Sequence, residues 1–330
     1  MVRRTQQLET LSEQTTHRLP RITRIARSGL AFQPTALTAD KEVLALNLMR
    51  GCGQRCAFCS VRGSAHYSGD DELFLYDDSP EKLATELDTR PRLPRAIFIS
   101  PATDPFPPLV EVQEQAALTV AALAERGVET WLMTRGLIRP HAMQVLAAHR
   151  DRVRVTVSMT TCDRQLQRTL EPWCASPRLR LKQIAKLRSL EIPVQVAIDP
   201  MIPGVTDTRS NLSAVLEAVG DSGVRHVTAS YVYLREGIAK NLASALAPLG
   251  MDQEVLSEYD NGPVLTGPGL AAARYLPRNR RQRGYGMLIS LAAGHGISVS
   301  FSGMTNPDFA PPRSSSASSQ RLFPLFMQNK

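Results

Sequence analysis

The chain has 330 residues and a mass of 36.3 kDa, with 43% hydrophobic and 21% charged residues. This usage excludes wholesale disorder, collagen-like and coiled-coil architectures, and the length suffices for one large or two small buried cores. Thirty-nine Lys+Arg against thirty-one Asp+Glu give a net charge of +8 and a pI near 9.5, which permits a nucleic acid or other anionic partner without requiring one.

Residues 1–40 carry Arg3, Arg4, Arg18, Arg21, Arg24 and Arg27 among few large apolar side chains and read as a basic, partly ordered extension. Glu9 and Glu13 speak against a transit peptide, and the opening residues lack the apolar centre of a secretory signal. No apolar run approaches the roughly 18 to 20 residues of a membrane helix, so a cytoplasmic protein with no membrane partner is expected.

From Lys41 short β-branched or apolar runs alternate with stretches of helical period. Strands are predicted at 43–49, 96–100, 130–134, 154–159, 193–198 and 226–231. Helices are predicted at 80–88, 112–126, 140–149, 177–190 and 209–222, with start signals such as Asp78-Ser79-Pro80 and Ser176-Pro177. Successive βα units make right-handed parallel crossovers, and six strands in a row predict an α/β fold, a partial (β/α)6 barrel over 41–236.

Beyond it the repeat decays into a C-terminal extension, 237–305. Gly and Pro punctuate 261–269, a basic helical segment runs from Tyr275, and 297–301 adds a strand or covers the barrel's open side. Residues 306–330 hold Pro311-Pro312 and a Ser-rich run at 314–319, and read as a flexible tail whose Phe323, Leu325 and Phe326 can dock elsewhere.

Five cysteines are an odd number, and Cys52, Cys56 and Cys59 are bunched too closely for a disulfide scaffold. They follow the first predicted strand, in the loop at its C-terminal end, which is the catalytic face of a barrel. Three thiolates from one tight loop can ligate three corners of an iron–sulfur cube, because soft sulfur suits such clusters and short spacers keep the sulfurs convergent. The fourth iron then stays open to chelate an amino acid's amine and carboxylate. Zinc is the simpler alternative, with His66 available as a fourth ligand.

On these residues the sequence resembles the radical S-adenosylmethionine superfamily, whose signature is CxxxCxxC after the first strand of a partial barrel. The resemblance spans about residues 43–234. Within the superfamily the chain is similar to the branch of spore photoproduct lyase and the DNA-repair-photolyase-like proteins. The matching pieces are Arg50-Gly51-Cys52, Thr103-Asp104-Pro105-Phe106, Leu170-Glu171-Pro172 with Ser176-Pro177, and Ile202-Pro203-Gly204-Val205-Thr206-Asp207.

The resemblance implies a [4Fe–4S] cluster on Cys52, Cys56 and Cys59 and S-adenosyl-L-methionine as the second cofactor. It also implies a low-potential electron donor such as flavodoxin or ferredoxin. One electron cleaves S-adenosylmethionine reductively to methionine and a 5′-deoxyadenosyl radical, which abstracts hydrogen from a substrate, nucleic acid among the candidates. By the same resemblance Phe58 lies at the adenine, Ala102, Thr103 and Asp104 at the methionine moiety, Arg135 at the carboxylate, Ser158 at the ribose or carboxylate, and Ile202 against the adenine. Each has a plainer reading: packing for Phe58 and Ile202, a helix cap for Asp104, a solvated side chain for Arg135, a backbone hydrogen bond for Ser158.

Two positions depart from the branch. Pro101 stands where the photoproduct lyase has a hydrogen-donor cysteine, and Ser60 where that enzyme and many relatives have tyrosine. Cys162, just beyond the fourth predicted strand, is the candidate replacement donor, and Cys174 follows in the same connection; both are alternatively accessory ligands or ordinary reduced thiols. Arg274, Arg278, Arg280, Arg281 and Arg283, interleaved with Tyr275 and Tyr285, make either a phosphate-contacting patch or a solvated helix face, and Arg178, Arg180, Lys182, Lys186 and Arg188 extend the charge. Three functions stay open. They are a radical enzyme, a lyase or related type, acting on nucleic acid or a small molecule; a radical enzyme that modifies a peptide or protein; and a noncatalytic zinc or iron–sulfur module.

Overall fold

The computed structural model describes residues 20–35, 38, 40–63, 67–266, 271–301 and 305–309. His66, most of the basic N-terminal extension and nearly all of the tail, with Phe323, Leu325 and Phe326, lie outside these residues.

The described part of the N-terminal extension folds. It supplies β1 (Arg21–Ile25) and β2 (Gln33–Pro34), ahead of β3 (Val43–Leu46) and β4 (Met49–Arg50). The apolar run expected as one strand over 43–49 is broken at Asn47, whose carbonyl accepts from Arg27 and whose Oδ1 accepts from the Ala102 amide at 3.1 Å. Side-chain bonding by Asn competes with ladder pairing. β5 (Glu72–Tyr76), which the sequence reading lacks, buries Leu73 and Leu75 on one face, the period-2 signature of a half-buried strand. It pairs parallel with β1 and antiparallel with β4, so a three-stranded sheet brackets the cysteine loop.

The βα repeat follows as α1 (Ser79–Thr89), β6 (Ala96–Ile99), α2 (Val110–Glu125), β7 (Glu129–Thr134), α3 (Pro140–Ala148) and β8 (Val153–Ser158). Then come α4 (Arg164–Leu170), α5 (Pro177–Ser189), β9 (Val194–Met201), α6 (Arg209–Asp221) and β10 (His226–Tyr231). The added helix α4 has seven residues, too few to show a helical period, and is started by Asp163, whose side chain accepts from the Gln165 and Leu166 amides. The last elements among the described residues are α7 (Glu236–Leu246), α8 (Asp252–Ser257), the hairpin β11 (Val264–Leu265) and β12 (Ala273–Arg274), α9 (Arg278–Gly294) and β13 (Ser298–Phe301).

The main sheet has the order β13-β10-β9-β8-β7-β6-β3-β2. Six strands lie side by side in chain order, each parallel to the next, as right-handed crossovers require. β13 extends the sheet in parallel on β10, and β2 caps the other edge antiparallel to β3. Among the described residues the two edges are not paired with each other, so the cylinder is a partial (β/α) barrel. Its central strands are buried on both faces, as a parallel sheet covered by helices must be: all four residues of β6 are buried. Among the described residues no helix is long and apolar enough to cross a membrane.

Several arginines expected on the surface point inward. Arg281, fully buried, pairs with Asp308 and donates to the Leu276 carbonyl and Asn306 Oδ1. Arg280 is held between Asp207 at 2.7 Å and Glu258 at 3.0 Å. Arg274 donates to the carbonyls of Asp260 and Gly262, while Tyr275 and Tyr285 are buried. Arg281, Tyr275 and Tyr285 are thereby withdrawn from the expected phosphate-contacting patch and Arg280 is engaged by two carboxylates, whereas Arg274, Arg278 and Arg283 stay exposed.

Candidate active site

The C-terminal ends of the barrel strands surround one cavity of about 290 Å³. Cys52, Cys56 and Cys59 enter from the loop between β4 and β5; Ala102, Thr103 and Asp104 follow β6; Arg135 follows β7; Ser158 ends β8. Asp199, Ser230, Tyr231, Ser300 and Phe301 close the far wall from β9, β10 and β13. Parallel strands in a barrel deliver their loops to the same end, which is why residues more than a hundred positions apart in the chain converge here.

The cysteine loop is tight for stated reasons. Gly51 sits at φ +83°, and a Cβ there would lie 2.7 Å from Ser68 Oγ and 2.8 Å from Leu73 Cδ2, so only glycine fits the turn into Cys52. The Ala57 amide donates to the Leu170 carbonyl at 2.9 Å and the Trp173 amide to the Gln54 carbonyl at 3.3 Å, which clamps the loop to the end of α4 and the residues just after it. Burial pushes the Cys52 thiol well above its ordinary value, with Cys59 and Cys56 adding to the rise, and burial together with Cys56 raises Cys59. Three sulfurs close enough to raise one another's ionisation cost are stabilised by a cationic centre among them.

Asp104 proves to be a tie between loops. Its Oδ1 accepts from the Phe106 amide and Thr134 Oγ1, and its Oδ2 from Gln54 Nε2 and the Arg135 amide, each at 2.8 Å. Four donors occupy the acceptor sites of a carboxylate, leaving none for an amine. Burial raises its pKa against the pull of those bonds.

Arg135 is not solvated either. It pairs with Glu171 at 2.8 Å, lies 3.7 Å from Asp199, and stacks over the Phe58 ring at 4.9 Å. Burial works against its charge, but Glu171, Cys56, Asp199 and Cys174 outweigh it and hold the guanidinium firmly protonated. Glu171 is fully buried; Thr160 Oγ1 donates at 3.1 Å to the same oxygen, Oε1, that faces Arg135, and Oε2 takes Arg180. Arg180 in turn donates to the carbonyls of Ala175 and Ser158, both at 2.8 Å. Glu171, Arg180, Gln54 and Asp199 are the site residues that residue-by-residue reasoning misses. The available signal is Leu170-Glu171-Pro172 ahead of the Ser176-Pro177 helix start, a carboxylate in a turn followed by an arginine one turn into a helix.

Two predicted residues stand elsewhere. Ile202 is fully buried in the core, its amide donating to Thr206 Oγ1 at 2.7 Å, and it does not line the cavity. Cys162 also lies off the cavity, its Sγ 3.6 Å from the Ala214 carbonyl on α6. Its chain position past β8 is at the active end, but the side chain turns outward to the helix layer.

The donor set suits an iron–sulfur cluster with a polar ligand beside it. Its three first donors are all sulfur, and next to them the buried hydroxyls of Thr103 and Ser158 have no hydrogen-bond partner among the described residues. Buried orphaned hydroxyls are uncommon unless something else satisfies them. The described residues contain no group of three His, Cys, Asp or Glu spaced around one metal ion; a cube holds its three thiolates on separate irons, further apart than ligands of a single ion.

The profile of the Radical SAM superfamily matches residues 46–212. Rv2578c, an uncharacterized protein of Mycobacterium tuberculosis strain H37Rv, is 26% identical over 203 residues, which is 58% of this chain and 58% of that protein. A Pseudomonas phage M6 protein named radical SAM Nalpha-GlyT isomerase is 25% identical over 182 residues, 55% of this chain and 37% of its own length. The match thus spans less than two thirds of either relative. Spore photoproduct lyase superposes with a TM-score of 0.66 at 12% identity over 85% of this chain and 82% of that one. A variant of it with bound AdoMet and dinucleoside spore photoproduct gives 0.65 at 12% identity, with the same coverage. At such identity the likeness shows the fold.

Proposed function

The chain belongs to the radical SAM superfamily, and on that premise we propose that Cys52, Cys56 and Cys59 hold a [4Fe–4S] cluster with which the protein cleaves S-adenosylmethionine to initiate hydrogen abstraction. When bound, the cluster supplies one low-potential electron to the sulfonium, so that a 5′-deoxyadenosyl radical becomes available to the substrate. The observation that carries this reading is the convergence, at one cavity, of three thiols with the two orphaned hydroxyls of Thr103 and Ser158.

The chain's own residues then have distinct tasks. Thr103 and Ser158 offer hydrogen bonds to the polar ends of S-adenosylmethionine. Phe58 gives an apolar face next to the cluster loop, fixed in place by the Arg135 guanidinium stacked on it. Asp104 and Glu171 bind no ligand; they hold the loops after β6, β7 and α4 in register through the bonds described above. The apolar wall of Tyr231, Val232 and Phe301 excludes water from the reacting centre.

For the substrate, a nucleoside or nucleic acid is the reading favoured here, on the likeness of fold to a lyase solved with a dinucleoside photoproduct. The reductant belongs to the flavodoxin or ferredoxin class. Anaerobic reconstitution tests the proposal: roughly four irons per chain and 5′-deoxyadenosine formed under dithionite are expected, both lost in Cys59→Ala. A colourless protein that binds zinc and forms no 5′-deoxyadenosine would refute it. Turnover with deuterated oligonucleotides, read as deuterium in 5′-deoxyadenosine, tests the substrate class.

A further inference from the structure

Cys174 has no task in the chemistry above, yet its Sγ lies 3.5 Å from Cys56 Sγ, and both thiols are buried. The Cys174 thiol also donates to Gln54 Oε1 at 3.3 Å. The approach is imposed by backbone, since the two bonds Ala57 N to Leu170 O and Trp173 N to Gln54 O seat residues 170–174 alongside 54–57. Cys56 lines the cavity and Cys174 does not. A small oxidant entering the cavity therefore reaches Cys56 before Cys174, and of the cavity's cysteines Cys56 is the one with the Cys174 thiol in contact behind it.

We propose that Cys56 and Cys174 form a disulfide when the cluster-free chain meets a peroxide. Hydrogen peroxide oxidises the Cys56 thiol to a sulfenic acid with release of one water; the Cys174 sulfur attacks the sulfenic sulfur, forming the S–S bond and releasing a second water. Two electrons pass from the two thiols to the peroxide, and both thiol protons leave in water. The bond joins residues 118 positions apart and withdraws Cys56 from the donor set. Resting on the cluster reading above, the consequence is a chain that cannot load iron until a thiol reductant reopens the bond.

The test uses the full-length chain purified without iron and treated anaerobically with one equivalent of hydrogen peroxide. Loss of two free thiols and one crosslinked peptide pair carrying Cys56 and Cys174 are expected, reversed by dithiothreitol. Cys174→Ser removes that crosslink. A crosslink of Cys56 to Cys52 or Cys59, or oxidation of Cys56 without any crosslink, overturns the proposal. Iron uptake separates the two readings: the peroxide-treated wild type is expected to load less than a tenth of the iron that the reduced chain loads. If the crosslink forms but the reduced chain takes up no iron, the cluster assignment fails and the disulfide stands.

Discussion

Replacing Glu171 by Gln keeps the shape of a fully buried side chain and removes the charge that faces both Arg135 and Arg180. Arg180 is 1% exposed, so solvent cannot screen the loss, whereas Arg135 keeps Asp199 at 3.7 Å. Removing one partner of a buried pair costs about 3–5 kcal/mol, and the retained contact to Asp199 places the expectation near the lower end. At an m-value of about 3 kcal/mol/M, this moves the urea midpoint down by about 1 M. Glu171 also sets a pH signature. Burial opposes its ionisation, but Arg180 and Arg135 prevail and hold its carboxyl below the ordinary range. A folded pKa below the unfolded one contributes stability that is present above the unfolded value of about 4.3 and is lost as pH falls through the lower folded value. The gap between wild type and Glu171→Gln should therefore be full at neutral pH and narrow below about pH 4. Urea midpoints within about 0.2 M of each other at pH 7, or a gap that widens on acidification, would refute the reasoning.

Gly136→Ala places a Cβ 1.8 Å from the Phe106 carbonyl oxygen, so the loops after β6 and β7 must separate; a loss of about 3 kcal/mol or more is expected in thermal unfolding, with weaker iron retention. Thr103→Ala and Ser158→Ala remove hydroxyls with no partner among the described residues, so stability should hold or rise while S-adenosylmethionine affinity of the reconstituted protein falls about 2- to 12-fold, measured by anaerobic equilibrium dialysis; unchanged affinity would remove both from the binding site. Arg281→Ala should cost about 2–4 kcal/mol because it leaves Asp308 and a buried carbonyl unpaired, whereas exposed Arg283→Ala should stay within about 0.5 kcal/mol. Equal unfolding temperatures for those two variants would restore the surface-patch reading.

The βα repeat was legible in the sequence because strands buried on both faces are continuous apolar runs and most of their crossover helices open on a proline or a capping side chain. Ser176 at α5 and Thr208 at α6 each cap their helix by accepting an amide hydrogen bond. What escaped were short elements whose stability comes from partners far along the chain. β1 and β5 form because Arg21–Ile25 and Glu72–Tyr76 pair with each other, and five residues carry too little periodicity to announce that.

The three cysteines were readable from spacing alone, since ligand convergence in one loop is a local property of the chain. Side-chain direction is not. Nothing in the run from Arg178 to Arg188 says that Arg180 turns inward to Glu171, nor in 159–163 that Cys162 faces α6. Sequence by itself determined the succession of βα units along the chain and the bunching of three cysteines in one loop, because both depend on near neighbours. Only tertiary structure decided which charges are buried, which hydroxyls are left unsatisfied and which thiols touch, because these depend on how the parallel crossovers stack distant segments against one another.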